Sequence, residues 1–481
     1  MSGWDSRRVA CEAGAKLLRE GPPGCSPAPP RTVIDTRELA AGELFVGLRG
    51  EREDGGARAA EALERGAWGV LVAPEHADGV AASTSEGAVL SHHDPLLGLQ
   101  ALARAWRRDL GERGAKVVAI TGSTGKTSTK DILAAMLGTA VPTAASAANL
   151  NTEIGLPLAV LAAPAGTRAL VLEMAMRGSG QIAELTAIAE PDVGVIVNVG
   201  PAHLELLGSM EAIAAAKAEL IAGLHPGGTA VVPAGEPLLE RHLREDLHVV
   251  TFGDGGDVAM IGLADPPGGG TGSGVRIALE GDEIELWPSF SQAHNLRNLL
   301  AAVAAAAAVG HTPEGRLEVE FSAMRGQRER LPGGAVLIDD CYNANPMSMR
   351  AAIEDLAATA PARRVAVLGE MLELGPDGPA LHRRLGVQAR DAGVDVLVTV
   401  GPLAAEIGEG YGRDSRLLPD AEAAAAAVPG LLEPGDTVLV KGSRGVGLER
   451  VCEALRRAPA GDPSAGAGRA AMAHPFPDRT A

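Results

Sequence analysis

The run Lys116-Val117-Val118-Ala119-Ile120 breaks into Thr121-Gly122-Ser123-Thr124-Gly125-Lys126-Thr127 and then into helix-forming sequence. An apolar block of this kind is satisfied as a strand buried on both faces of a parallel sheet. The glycines behind it let the backbone wrap an anion where a helix begins. Lys126 adds positive charge, and the Thr127 hydroxyl is placed to hold a magnesium ion. The pattern departs from a complete nucleotide loop only in its first position, where Ile120 replaces glycine. The residues expected to touch phosphate are therefore Gly122, Ser123, Thr124, Gly125, Lys126, Thr127 and Ser128.

Two further apolar blocks, Ala169–Met174 and Val193–Val199, read as neighbouring strands. Glu173 closes the first, and His203 lies just beyond the second. Strand C-termini of a parallel sheet open on one edge, where ligands bind. Glu173 and His203 are thus expected to face the same phosphates, as magnesium ligands or γ-phosphate positioning groups. Taken alone, a glutamate at a strand end is more often a solvated rim residue. Lys217, in the helical stretch Ser209–Leu224, reads by itself as a solvent-facing lysine. The basic turn Lys441-Gly442-Ser443-Arg444, behind the strand Thr437–Val440, reads as an anion site.

Strand blocks alternate with alanine-rich helical stretches throughout, which predicts α/β construction with largely parallel sheets. Early signals are an extended stretch, Thr32–Gly50, and a helix, Pro95–Asp109. Gly268–Gly274 reads as a hairpin loop, Asn295–Val309 as a helix, and Ala421–Val428 as a short helix. A second α/β series comprises Ala335–Ile338, Arg364–Leu368, Val394–Val400 and Thr437–Val440. A chain of 481 residues exceeds one ordinary core. The expected domains are 1–92, 93–322 and 323–460, followed by a disordered tail, 461–481.

With 43 Lys and Arg against 61 Asp and Glu, the net charge of −18 argues against nucleic-acid binding. Four cysteines without metal-ligand spacing suit a reducing compartment. The apolar run Leu299–Val309 falls short of a membrane span, and no secretory signal pattern opens the chain. The expectation is a cytoplasmic protein, not membrane-embedded.

Several strings occur in order: the phosphate loop, Asn149-Leu150-Asn151-Thr152-Glu153-Ile154-Gly155, Glu173-Met174, Asn198-Val199-Gly200-Pro201-Ala202-His203-Leu204 and Asp339-Asp340-Cys341-Tyr342-Asn343-Ala344-Asn345-Pro346. From about Asp35 to Glu453 the chain resembles the Mur ligases. The second and last strings point to the MurF-type branch, which adds D-alanyl-D-alanine to UDP-N-acetylmuramoyl-tripeptide. The Asp-Asn-Pro-Arg string usual in the diaminopimelate- or lysine-adding sibling is absent.

The resemblance implies a UDP-substrate-binding α/β domain, a central P-loop-type ATPase domain and a C-terminal Rossmann-like domain. It implies ATP as co-substrate, an acyl-phosphate intermediate and two Mg²⁺ ions. Lys126, Thr127, Glu173 and His203 become the phosphate and metal group, and Lys217 the lysine that the family carboxylates with CO₂. Asn295 and Asn298, one helical turn apart, would meet adenine; capping of the helix by Asn295 is the plainer alternative. Arg325 and Asp340, 15 positions apart, match the family's hinge arginine and ribose-side aspartate, with Arg328 and Arg330 as competitors. Thr36, Arg37 and Phe45 would meet the UDP end, and Asn149, Asn151, Thr152 and Glu153 the substrate. Tyr342, Asn343, Asn345, Lys441, Ser443 and Arg444 would meet the peptide substrates on closure, although an Asn-rich turn would explain Asn343 and Asn345 alone. A monomer is expected. The chain departs from the family at Glu53-Asp54-Gly55-Gly56, usually aromatic-Asp-Gly-His. It departs again at Ala175-Met176-Arg177-Gly178, usually Gly-Met-Asn-His. The alternatives are a sibling or folylpolyglutamate-type amide ligase and a non-catalytic nucleotide-binding homologue.

Overall fold

The computed structural model describes residues 1, 3–21, 29, 31–83, 86–147, 149–265 and 274–458. The expected tail, most of the glycine-rich stretch and Cys25 lie outside the described residues. The chain divides into two compact units, Met1–Ser322 and Ala323–Ala481.

The first unit contains two sheets. The smaller has five strands in the order Lys16–Arg19, Ala88–Ser91, Gly69–Val72, Leu44–Val46, Thr32–Val33, parallel except at the first edge. The stretch expected to be extended from Thr32 to Gly50 is thus two short strands with a 3-10 turn, Thr36–Glu38, between them. The larger sheet has ten strands. At its centre Lys116–Thr121 lies between Ala169–Glu173 and Val193–Ile196, both parallel to it. Strands that follow it in the chain flank it on both sides, so the strand order reverses there, the place where open α/β sheets bind ligands. Its other end is not parallel: Val258–Ala264, Gly274–Leu279 and Asp282–Pro288 form an antiparallel meander.

The helix Pro95–Glu112 links the two sheets of this unit. Asp94 caps it by accepting from Leu96 N, and Pro95 supplies a first position that needs no donor. Its Leu99, Leu102 and Trp106 share one buried cluster with Leu71 and Leu90 of the small sheet and with Leu170 and Leu172 of the large one. The Trp106 and Trp4 rings meet edge to face at 5.8 Å.

The second unit has six strands in the order Gln327–Arg330, Val336–Asp339, Thr437–Lys441, Arg364–Gly369, Val396–Val400, Ser415–Leu418, parallel after the first. Two of its helices, Gly378–Asp391 and Ala405–Tyr411, touch backbone to backbone. A Cβ on Gly386 would lie 1.9 Å from Ile407 O, and one on Gly410 1.8 Å from Arg383 O. Gly386→Ala must separate these helices and should cost about 3 kcal/mol, read as a lower denaturant midpoint. Gly79→Ala, whose new Cβ meets open space in the helix Pro74–Ala81, should instead hold or gain stability by up to about 1 kcal/mol.

Candidate active site

The phosphate loop is tied down by the segment that leaves the adjacent strand. Asn198 accepts from Thr124 N through Oδ1 at 3.0 Å and donates to Thr124 O through Nδ2 at 3.0 Å. Ser123 donates through Oγ to Gly200 O at 2.8 Å and accepts from Gly200 N at 2.9 Å. Gly125, at φ +80°, closes the loop, and a Cβ there would lie 2.6 Å from Asn298 Oδ1. Lys126 opens the helix Lys126–Gly138, and its ammonium donates to Gly122 O at 2.8 Å. The next helical residue, Thr127, is buried; Ser128 is half-buried.

Glu173 stands at the end of its strand, in register with Ile120. Its carboxylate is 2% exposed, so it is not the solvated rim residue that its position alone would suggest. Oε2 accepts from the Thr127 hydroxyl and Oε1 from Asn151 Nδ2, each at 2.8 Å, while its backbone N donates to Ser146 Oγ at 3.1 Å. Of the other residues in that string, Asn149, Thr152 and Glu153 are exposed beside it. His203 is half-buried in a left-handed conformation, φ 59°, before the short helix Leu204–Leu207.

Lys217 corrects the reading of a solvent-facing lysine. It is 1% exposed in the helix Met210–Ala222, on the face buried with Ile213, Ala214, Ala216, Leu220 and Ile221, while Glu211, Ala215 and Ala222 are exposed. Burial, and secondarily the like charge of Lys126, hold its pKa well below the ordinary lysine value.

Asn295 and Asn298 are both buried on the helix Ala293–Ala308, with Asn298 Nδ2 donating to Asn295 Oδ1 at 3.3 Å. Asn295 does not cap this helix, because the chain turns helical two residues earlier, behind Gln292. Capping therefore does not account for it.

In the second unit the Arg325 guanidinium lies over the Tyr342 ring at 3.9 Å. Its Nε is buried with no hydrogen-bond partner among the described residues, as suits a group awaiting a ligand. Arg328 is committed to Asp355 at 2.6 Å, and Arg330 is exposed. Lys441 is 3% exposed and pairs with Asp340 at 2.7 Å, also donating to Asn343 O. It braces the Asp340–Asn343 turn rather than presenting a free cation. Ser443 is likewise buried, donating to Ala344 O and accepting from Leu372 N. Asn345 caps the helix Pro346–Thr359 in a reciprocal capping box with Ser348, so the plain turn reading holds for its amide. Asn343 and Arg444 are exposed.

In the small sheet Thr36 is 9% exposed, and Arg37 is exposed and paired with Asp35 at 2.6 Å. Phe45 corrects the expectation of a ligand contact: at 1% exposure it packs in a core cluster with Val33, Leu39, Val70 and Val89. The residues that sequence reasoning left without a role are Asn198 and Ser146. Asn198 lies in a string quoted for resemblance, which was the available signal; Ser146 left none.

A phosphate loop at a strand-order reversal, with a buried acid hydrogen-bonded to its threonine, defines a nucleotide-using α/β protein. The Mur ligase middle domain matches residues 120–306 and the Mur ligase glutamate ligase domain matches 315–444. The UDP-N-acetylmuramoyl-tripeptide–D-alanyl-D-alanine ligase of Bacillus subtilis is 35% identical, over 88% of this chain and 93% of its own. The Synechocystis enzyme of the same name is 37% identical, over 88% and 90%. Among solved structures, Acinetobacter baumannii MurF superposes with a TM-score of 0.81 at 27% identity, over 95% of this chain and 99% of that one. Thermotoga maritima MurF in complex with ADP gives 0.74 at 30%, over 89% and 97%. The chain belongs to the Mur ligase family.

Because both polar ends of the Asn198 amide hold the loop, Asn198→Ala should raise the Kd for ATP roughly tenfold with an unchanged circular dichroism spectrum. Calorimetric titration with a non-hydrolysable ATP analogue checks this.

Proposed function

We propose that this protein joins D-alanyl-D-alanine to the terminal carboxylate of UDP-N-acetylmuramoyl-tripeptide at the expense of ATP, in the supply of peptidoglycan precursors. The observation that carries the reading is the buried Thr127–Glu173 pair at the foot of the phosphate loop, in a chain that matches ligases of this specificity along most of its length. We further read residues 1–92 as the UDP-substrate domain, 93–322 as the ATPase domain and 323–460 as the closing domain, in a cytoplasmic monomer. No helix among the described residues is long and apolar enough to cross a membrane.

The tripeptide carboxylate attacks the γ-phosphorus of ATP, giving an acyl phosphate and ADP. The dipeptide amine then attacks the acyl carbon, and phosphate leaves through a tetrahedral intermediate. Two anions meet in the first step, so the task of the site is to neutralise charge. Lys126 and the loop N–H groups hold the transferred phosphate. Asn295 and Asn298 hold adenine, and Arg325 with Asp340 the ribose and phosphate side. The exposed Asn149, Thr152, Glu153, Asn343 and Arg444, together with Tyr342, are the residues left to meet the peptide parts.

The buried hydroxyl and carboxylate of Thr127 and Glu173 are hard oxygen donors that suit Mg²⁺, and the His203 imidazole, after the strand Val193–Ile196, would be a third donor. Burial that lowers the Lys217 pKa favours the neutral amine, the form that adds CO₂, so Lys217 as a carbamate would supply an anionic ligand to a second ion. Bound there, magnesium supplies positive charge to the phosphate oxygens.

Phosphate release from ATP should require both UDP-N-acetylmuramoyl-tripeptide and D-alanyl-D-alanine, with a product mass gain equal to the dipeptide. Turnover with a single amino acid in place of the dipeptide would move the protein to a sibling ligase, and silence with intact ATP binding would favour the non-catalytic reading. Lys126→Ala should abolish acyl-phosphate formation while UDP-substrate binding survives; near-normal turnover would sink the phosphate-site assignment. Lys217→Ala should lose at least 100-fold in kcat, on the order of 3 kcal/mol, and recover part of it with added short carboxylates. Absence of any rescue in a folded variant would count against the carbamate.

A further inference from the structure

The small sheet carries a second constellation at the C-terminal ends of its parallel strands. The strand Leu44–Val46 runs on into Gly47-Leu48-Arg49, and Gly69–Val72 into Ala73-Pro74-Glu75-His76. Between Arg49 and Asp54 the chain doubles back, with Gly50 N donating to Glu53 O at 2.9 Å and Gly55 N to Leu48 O at 2.8 Å. Backbone packing there is so close that a Cβ on Gly47 would lie 2.8 Å from Gly56 Cα, and one on Gly55 2.7 Å from Leu48 O.

Gly56 differs from these two. A Cβ there would strike a side chain, the imidazole of His76, at 2.3 Å from Cδ2. The space beside position 56 is therefore occupied by a ring delivered from the helix Pro74–Ala81, which follows the neighbouring strand. That ring is held. His76 Nε2 lies 2.8 Å from Asp54 Oδ2, while Asp54 Oδ1 accepts from Gly56 N at 2.9 Å. The His76 hydrogen bond, chiefly, holds the Asp54 carboxyl below its ordinary range. An ionised carboxylate only accepts, so Nε2 carries the proton and Nδ1 has no part in that bond. The charged groups around the ring are Asp54, Glu75 and Arg49, which pairs with Glu75 and lies 4.0 Å from Asp54. The His76 side chain is 23% exposed, so the dyad is packed yet reachable.

We propose that His76 binds the diphosphate of the UDP-linked substrate through Nδ1, with Asp54 as its positioning residue and Arg49 as the accompanying cation. This rests on the reading of the substrate given above. A ring that donates to Asp54 through Nε2 donates to a phosphate oxygen through Nδ1 when that nitrogen also carries a proton, so in the bound form both ring nitrogens are donors. Asp54 also sets the ring's orientation, and Arg49 can exchange the exposed Glu75 for a more highly charged anion.

The test uses the full-length protein. His76→Ala should raise KM for UDP-N-acetylmuramoyl-tripeptide roughly tenfold, with kcat and the KM values for ATP and D-alanyl-D-alanine changed less than twofold. UDP as a competitive inhibitor should weaken by the same factor, whereas uridine should not. Gly56→His combined with His76→Ala returns an imidazole to the same space from the 3-10 turn Gly55–Arg58 and should recover most of the lost KM, which a purely structural role would not predict. An unchanged KM in His76→Ala, with normal turnover, overturns the proposal, and so does equal weakening of UDP and uridine. If the wild-type protein does not turn over this substrate, the reading of the reaction fails; calorimetric titration of UDP into the wild-type and His76→Ala proteins then decides the His76 assignment separately.

Discussion

The central site depends on one buried carboxylate. Glu173 is 2% exposed and anchors Thr127 of the phosphate-loop helix through one oxygen and Asn151 through the other. Burying such a group is costly unless each oxygen is satisfied, and hydrogen bonds to a charged partner contribute about 1.5–3 kcal/mol each. Two of the three segments gathered at this edge are therefore held by the same acid. The third is held by the reciprocal Asn198–Thr124 bonds. The loop is shaped before any ligand arrives, so little binding energy is spent on ordering it.

Lys217 shows the opposite economy. Its pKa is lowered by burial and by Lys126. A lysine whose folded pKa lies below its unfolded value binds fewer protons in the folded state between the two. Stability is therefore reduced below the folded pKa and recovers as pH rises toward the unfolded pKa. At neutral pH the fold pays for keeping an amine there. Alanine or leucine would relieve that penalty, and neighbours on the same helix are alanines. Departures from local stability of this kind concentrate where chemistry is done.

The strand-loop-helix unit was legible because its determinants are local: an apolar block, glycines, a lysine and a hydroxyl at fixed offsets. That Glu173 closes a strand beside the loop followed from parallel construction; the strand order did not. What sequence could not supply was side-chain direction. Phe45 is aromatic in a string that resembles a binding segment, yet strand alternation turns it into the core. Lys441 looks like a free cation until Asp340, 101 positions away in the chain, is found against it. Lys217 sits among alanines, which are equally at home inside and outside: Ala214, Ala216 and Ala218 are buried while Ala215 and Ala222 are exposed, so no hydrophobic periodicity marks the face that Lys217 shares. Asn345 was open between ligand contact and an Asn-rich turn, and the structure shows its amide in a capping box with Ser348. The antiparallel meander at the sheet's end has the glycine-rich stretch between its first two strands, Val258–Ala264 and Gly274–Leu279, in keeping with the hairpin reading.

The departures at Ala175–Gly178 bear on whether chemistry has been lost. In this segment the structural work is done by backbone and by buried methionines. Ala175 N donates to Asn151 O at 2.9 Å, Arg177 N and Gly178 N donate to Gln181 Oε1, and Met174 and Met176 are buried. None of these contacts requires the side chain at position 175 or 177. The same peptide that ends the Glu173 strand thus ties Asn151 from both sides, by its carboxylate and by the N–H two residues on. Alanine keeps that N–H, and the exposed Arg177 side chain leaves the anchor untouched. The acid, its threonine and its asparagine form one hydrogen-bonded set, and the buried Lys217 feels the like charge of Lys126 beside it. A chain drifting away from catalysis has no stability reason to keep a lysine buried there.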